Sequence, residues 1–196
     1  MKKIPTAFIR EYKNHKVVNT LNEYTNELCK KAVEEGIATL KIDGSCCAII
    51  NDELYKRYDC KKEKKAPEGA IPCCEPDPIT GHWPHWVKCD SSNPADKWFI
   101  YAYNTLQNEV CFPINGTYEA IGPHFQGNPY NLVEDTLDLH GSHIITDLKR
   151  DFNSIKKYLK DNYIEGIVFW LDDEPICKIK RVDFGLNWNG STEHKH

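Results

Sequence analysis

Short strand-like runs joined by two-residue turns constrain this chain most. "IATLKI" is followed by Asp43-Gly44, then "SCCAII", then Asn51-Asp52, then "LYKRY". The first run alternates, which places successive side chains on opposite faces of a strand, and Asp-Gly or Asn-Asp pairs favour tight turns. The three runs therefore read as antiparallel strands, with Lys41 close to a turn. Near the other end, "EGIVFWL", a turn at "DDEP" and "PICKIKR" repeat the pattern as a β-hairpin. Between and before these runs lie helical spacings. Tyr24, Leu28, Ala32 and Val33 suggest a helix over Asn22–Gly36, and Phe152, Ile155, Tyr158 and Leu159 suggest another across "DFNSIKKYLKDNY". Asp96 is suited to cap a third across "KWFIYAYNTLQ", and "GTYEAIG" reads as a short strand. Helices and antiparallel strands without a βαβ rhythm predict an α+β fold. The chain has 196 residues, 40% of them hydrophobic, which suits a single domain with a proper core. Pro67–Pro94 is Pro-rich, so an irregular surface insertion is expected at about 66–95.

Composition excludes several classes. No apolar run approaches the roughly eighteen residues of a membrane span, and the N-terminus lacks the apolar stretch of a secretory signal. Nine cysteines, with adjacent pairs at Cys46-Cys47 and Cys73-Cys74, do not make a disulfide framework. Free thiols in a cytoplasmic or other reducing intracellular compartment are expected. The formal net charge of -4 argues against a chain that coats nucleic acid non-specifically. A local basic run, "KRYDCKKEKK", stands apart from that average, and its plain reading is a solvated hairpin tip.

One lysine raises a chemical question. Lys41-Ile42-Asp43-Gly44 is either a strand running into a turn or a nucleophile for a nucleotide phosphate. Average residue usage gives Lys-x-Asp-Gly by chance in roughly one chain in twenty of this length, so the four residues alone decide nothing. A lysine attacks phosphorus only as the neutral amine, from a reference pKa of about 10.4. It needs nearby cations to favour that form and to offset charge developing on the phosphate, with carboxylates for a metal and partners for a ribose. The candidates follow in order: Arg57 in "LYKRYD", Glu119 in "GTYEAIG", Glu165 in "EGIVFW", and Lys178 and Lys180 in "CKIKR". Two lysines separated by one residue share a strand face, and they repel unless solvent or an anion such as phosphate lies between them.

This ordered set resembles the covalent nucleotidyltransferase superfamily of ligases and RNA-capping enzymes. Within it the chain is similar to the compact 5′-3′ RNA ligases, on "KIDGSCC", "GHWPHWV", "GNPYNL", "EGIVFW" and "DFGLNW", over about residues 4–188. The resemblance implies an adenylation domain whose antiparallel sheets form a nucleotide cleft. It also implies that Lys41 takes AMP from ATP, with Mg²⁺ or Mn²⁺ present. RNA bearing a 5′-phosphate and a 3′-hydroxyl is the partner, in RNA repair, with no obligate protein partner and no membrane. Under the same resemblance Arg57 holds ribose or a phosphate and Glu119 the ribose. Glu165 positions the metal, directly or through water, and Lys178 and Lys180 contact the α-phosphate. Thr39, Leu40, Ile42 and Ile145 line the nucleotide, the last within "HIIT", expected to be a strand. Asp43 shapes the turn.

The chain also departs from the superfamily. Cys46 stands where DNA ligases usually carry Arg, and Leu40 where RNA ligases often carry Glu. About sixteen residues follow Lys180, fewer than the five strands of an OB barrel need, so no C-terminal OB domain is expected. The rival readings are a capping-type guanylyltransferase, a non-catalytic RNA- or nucleotide-binding relic, and a DNA ligase. Lys61, Lys62, Lys64 and Lys65 are the candidate RNA surface. Cys73, Cys74, His82, His85 and Cys89 are a possible zinc set without standard finger spacing. Trp83 and Trp86 are candidates to stack on RNA bases, or tryptophans packed under a loop.

Overall fold

The computed structural model describes residues 3–14, 16–61, 63–78, 80–110 and 113–188. In chain order the elements are strands β1 (Phe8–Lys13) and β2 (Lys16–Tyr24), helix α1 (Glu27–Glu35), and strands β3 (Ile37–Lys41), β4 (Ser45–Ile50), β5 (Glu53–Cys60), β6 (Ile71–Pro72) and β7 (Trp83–Lys88). Helix α2 (Lys97–Glu109), strands β8 (Gly116–Ile121) and β9 (Thr136–Leu139), helix α3 (Phe152–Asp161), and strands β10 (Gly166–Leu171) and β11 (Glu174–Lys180) complete the fold. The fold is α+β and its sheets are antiparallel. Among the described residues no helix is long and apolar enough to cross a membrane. Backbone contacts fall into two compact units, one built from residues 43–140 and the other from residues 3–42 and 141–188.

The unit of residues 3–42 and 141–188 contains the three-stranded sheet β11-β10-β3 and the β1-β2 ribbon. One face of the three-stranded sheet carries Ala38, Ile167, Phe169, Cys177 and Ile179, which pack with Ala32 and Val33 of α1 and Ile155 and Leu159 of α3. Helix α1 is shorter than its apolar spacing predicts. Tyr24 pairs with Phe8 in the ribbon, and Leu28 is exposed. The helix begins only where the Asn26 side chain accepts from the Cys29 N–H at 2.8 Å, because that cap satisfies an otherwise unpaired donor. Helix α3 matches its pattern, with Asp151 capping the Ser154 N–H.

The unit of residues 43–140 holds the six-stranded sheet β6-β7-β5-β4-β8-β9. Helix α2 covers it with Ala102 against Cys47, Ile49, Tyr118 and Leu137. Asp96 stands at the N-terminus of α2 but does not cap it. Its buried carboxylate instead accepts from Lys56 Nζ, the Asp90 N–H and Asn93 Nδ2. The Pro-rich stretch is less irregular than its composition predicts. Strand β7 pairs with β5 over six residues, and its His85 and Trp86 are buried. Trp86 is therefore a core residue, while Trp83 is partly exposed and donates to the Cys74 carbonyl.

Strands β4 and β5 form the expected hairpin, as do β10 and β11. The turn after Lys41 is not a hairpin. Strand β3 pairs with β10, whereas β4 pairs with β5 and β8, so Asp43-Gly44 carries the chain from one sheet to another. A Cβ at Gly44 would lie 2.5 Å from the Ala120 carbonyl oxygen and 2.8 Å from Ile121 Cγ2, which explains why no side chain fits there. The Asp43 N–H donates to Tyr130 Oη at 2.6 Å and fixes the far end of the turn. The "HIIT" stretch is not a strand. It makes an isolated bridge, Thr39 to Ile144, with the Leu40 N–H donating to the His143 carbonyl and the Ile145 N–H to the Ala38 carbonyl.

Candidate functional site

Sheet register gathers four of the predicted residues in the unit of residues 3–42 and 141–188. Gly166 at the start of the central strand β10 is the register partner of both Lys41 on β3 and Lys180 on β11. Directly opposite residues of antiparallel strands project to the same face. Lys178 pairs with Val168, two residues along, and so projects to that face as well. This is the face opposite the apolar one, and it presents three lysines side by side.

Glu165 immediately precedes Gly166. Its carboxylate, only 4% exposed, accepts from Lys41 Nζ through Oε2 and from Lys180 Nζ through Oε1, each at 2.6 Å. The Glu165 carbonyl takes the Arg181 N–H at 2.8 Å, so the main chain is anchored too. A Cβ at Gly166 would stand 2.3 Å from the Ile179 carbonyl oxygen, so only glycine lets β10 and β11 close at this point. The anion between Lys41 and Lys180 is therefore this carboxylate. Lys178 has its ammonium pulled down to about 8, by burial first and then by Lys41 and Lys180, with Glu165 acting against them. Three ammonium groups around one carboxylate leave an excess of positive charge, which suits a polyanion such as a nucleotide phosphate chain.

Of the other residues expected to line a nucleotide, Thr39 is buried and its hydroxyl accepts from Trp170 Nε1 at 2.8 Å. Leu40 spends its N–H on His143, Ile42 is half-buried just beyond β3, and Ile145 belongs to the apolar core. Both oxygens of Glu165 are held by lysines, so this carboxylate does not fit direct Mg²⁺ ligation while those contacts stand.

Arg57 and Glu119 lie in the other unit, on β5 and β8, the two neighbours of β4. Cys46 on β4 is the register partner of Glu119. Arg57 holds Asp59 at 3.2 Å. Burial acts to lower its affinity for a proton, but Cys46, Asp59 and Glu119 outweigh that and keep it above the ordinary arginine value. Glu119 Oε1 lies 3.0 Å from His140 Nε2, and Oε2 is buried without a hydrogen-bond partner. His140 is not legible in the sequence as a site residue: a lone histidine after "TLDL" carries no spacing signal. Tyr130 lies inside "GNPYNL", but nothing in the sequence links it to Asp43.

Lys61, Lys64 and Lys65 are exposed, and Lys62 lies outside the described residues. Lys56 and Arg57, from the same basic run, are engaged with Asp96 and Asp59. Among the described residues no metal-ligand group forms from Cys73, Cys74, His82, His85 and Cys89. The gathered donors are Cys46, Glu119 and His140. The eight described cysteines are free thiols, as expected.

Comparison with known proteins finds relatives named RNA ligase 1. The chain is 25% identical to the protein named RNA ligase 1 of Rattus norvegicus, over a 268-position alignment covering 95% of this chain and 82% of the rat protein. The Mus musculus protein of the same name is 25% identical, with 95% and 81% covered. The Pongo abelii one is also 25% identical, over 267 positions with 95% and 82% covered. These alignments are longer than the chain, so the relatives carry segments with no counterpart here. No protein-family model matches the chain.

Proposed function

We propose that this chain is an ATP-dependent RNA ligase that works through a lysyl-AMP intermediate on Lys41. The observation that carries the reading is the Lys41–Glu165–Lys180 arrangement with Lys178 beside it. It pairs a candidate nucleophile with a proton acceptor and two further cations. Similarity to proteins named RNA ligase 1 along 95% of the chain supports the substrate class.

In the first step Lys41 Nζ attacks the α-phosphorus of ATP. A P–N bond forms, the bond to the bridging oxygen breaks, and pyrophosphate leaves. Lys41 must first lose a proton, and Glu165 Oε2 at 2.6 Å is an acceptor within reach. Lys178 and Lys180 offset charge as it builds on the phosphate oxygens. AMP then passes to an RNA 5′-phosphate to give a 5′-5′ pyrophosphate link. Attack by an RNA 3′-hydroxyl on that 5′-phosphate forms the phosphodiester and releases AMP. Glu119 Oε2 is the proposed acceptor for a ribose hydroxyl, and Arg57 the proposed contact to ribose or phosphate.

The test is incubation with Mg²⁺ and ATP labelled at the α-phosphate, followed by denaturation. Label on the wild-type chain, acid-labile as a phosphoramidate and absent from Lys41→Ala, is the expected result. Label from GTP instead would replace the reading with a capping-type guanylyltransferase. No label from either nucleotide on folded protein would overturn it in favour of a non-catalytic binding protein. A joining assay on nicked or single-stranded RNA against the equivalent DNA then tests substrate class.

A further inference from the structure

We propose that Cys46, Glu119 and His140 form a binding site for a thiophilic divalent cation of the zinc type, within the unit of residues 43–140. The donor set is one thiol, one carboxylate and one imidazole, with all ligand atoms within 4.8 Å of one another. Tetrahedral zinc with bonds of about 2.0–2.3 Å sets ligand-to-ligand edges of about 3.3–3.7 Å. His140 Nε2 and Glu119 Oε1 already lie 3.0 Å apart. Small side-chain rotations therefore close the set without moving the strands.

The sheet holds these donors in place. Cys46 and Glu119 face each other in register across β4 and β8. His140 follows β9, and its main-chain N–H donates to the Thr117 carbonyl at 3.0 Å. Its Nδ1 lies 2.9 Å from Thr117 Oγ1. With Nδ1–H donating to that hydroxyl, the Nε2 lone pair can ligate a cation, which then takes the place of an Nε2–H contact to Glu119 Oε1. Such an outer hydrogen bond is the usual way a ligating histidine is oriented. Glu119 Oε2 is the second observation: a buried carboxylate oxygen with no hydrogen-bond partner is costly, and a cation would satisfy it.

The donor types decide the ion. Mg²⁺ takes oxygens in octahedral geometry, whereas a thiolate with an imidazole selects zinc-like ions. Arg57 acts against the site, being close enough to raise its own proton affinity through Cys46 and Glu119, although Asp59 holds its guanidinium at 3.2 Å. Burial first, and Glu119 next, push the Cys46 thiol up to about 12, so the ion must displace its proton to solvent as the metal–sulfur bond forms. Three protein ligands leave a fourth position for water. The site shares Glu119 with the proposed ribose contact, so cation and nucleotide compete for that carboxylate. Its existence does not depend on the ligase reading.

The experiment is a Co²⁺ titration of the full chain without nucleotide, read by absorbance. A first equivalent giving a thiolate-to-Co²⁺ charge-transfer band with tetrahedral d–d bands is expected. The band is lost in Cys46→Ser and in His140→Asn, and kept in a Cys73→Ser/Cys74→Ser double variant. Zinc-edge X-ray absorption on the unmodified protein, loaded with one equivalent, is expected to give one sulfur among nitrogen and oxygen neighbours. That readout decides the matter even where a variant fails to fold. Absence of the thiolate band, its persistence in folded Cys46→Ser, or a zinc shell with two or more sulfurs would overturn the proposal. None of these readouts involves ATP labelling, so failure here is separate from failure of the ligase reading.

Discussion

Replacing Glu165 by Gln removes the carboxylate that the structure places between Lys41 and Lys180, beside Lys178, while keeping its shape. Each Glu165 contact is 2.6 Å long, and two unit charges at that distance attract by about 6 kcal/mol at an effective dielectric of about 20. Desolvation of the buried carboxylate and of the half-buried Lys41 and Lys180 offsets much of this, so the gross figure is not the expected loss. Removing one partner of a buried ion pair typically costs about 3–5 kcal/mol, because the remaining charge is left uncompensated. For a chain of this size that lowers the melting temperature by about 6–20 °C. The pH dependence gives a second check. Lys178 is held at about 8 in the fold, against about 10.4 unfolded. Between those values the unfolded chain binds the extra proton, so stability from this group rises with pH across that window. Discharging Lys178 relieves repulsion that Glu165→Gln leaves unbalanced, so the deficit of the variant shrinks between pH 7 and pH 9. Paired thermal melts of wild type and variant at both pH values measure it. A variant that melts within about 1 °C of wild type at pH 7, or a deficit that does not shrink by pH 9, would refute the charge-balancing role of Glu165.

Three further outcomes follow from the same geometry. Lys178→Met removes a cation whose charged form is disfavoured by burial, so urea unfolding at pH 7 should show a more stable protein, while the rate of ATP-dependent self-labelling falls by about 10²–10³-fold. Gly44→Ala drives a Cβ to 2.5 Å from the Ala120 carbonyl, and urea titration should show a loss of about 1–3 kcal/mol; an unchanged midpoint would mean that the turn tolerates a side chain. Neutralising Lys61, Lys62, Lys64 and Lys65 together should leave self-labelling intact and flatten the salt dependence of RNA binding. The logarithmic slope is expected to fall by about 0.7 for each RNA phosphate that these lysines no longer neutralise, and an unchanged slope in filter binding would remove this run from the RNA surface.

Short apolar and β-branched runs bounded by turn residues survive intact into the structure, because such a run must be buried whatever its partner strand is. That is why β3, β4, β8 and the β10–β11 hairpin stand where the sequence places them. Elements whose ends depend on a partner do not. Residues 22–24 have helical spacing, but Tyr24 finds Phe8 across the ribbon and α1 waits for the Asn26 cap. The Pro-rich segment hides β7, because Trp83–Lys88 becomes a strand only through its ladder with β5. Asp96 occupies a cap position, yet the Lys56 ammonium claims its carboxylate.

The sequence by itself determined the inventory and its order: Lys41 at the end of an apolar run, Glu165 beside a glycine, and Lys178 and Lys180 on one strand face. Those properties depend on spacing along a single strand, which period two fixes locally. Tertiary structure alone decided that Gly166 is opposite both Lys41 and Lys180, that one carboxylate links those two lysines, and that Cys46, Glu119 and His140 converge in the other unit. Strand pairing between residues far apart in the chain sets these contacts. A pairing of that kind is settled by which apolar faces bury together, and no local pattern records it.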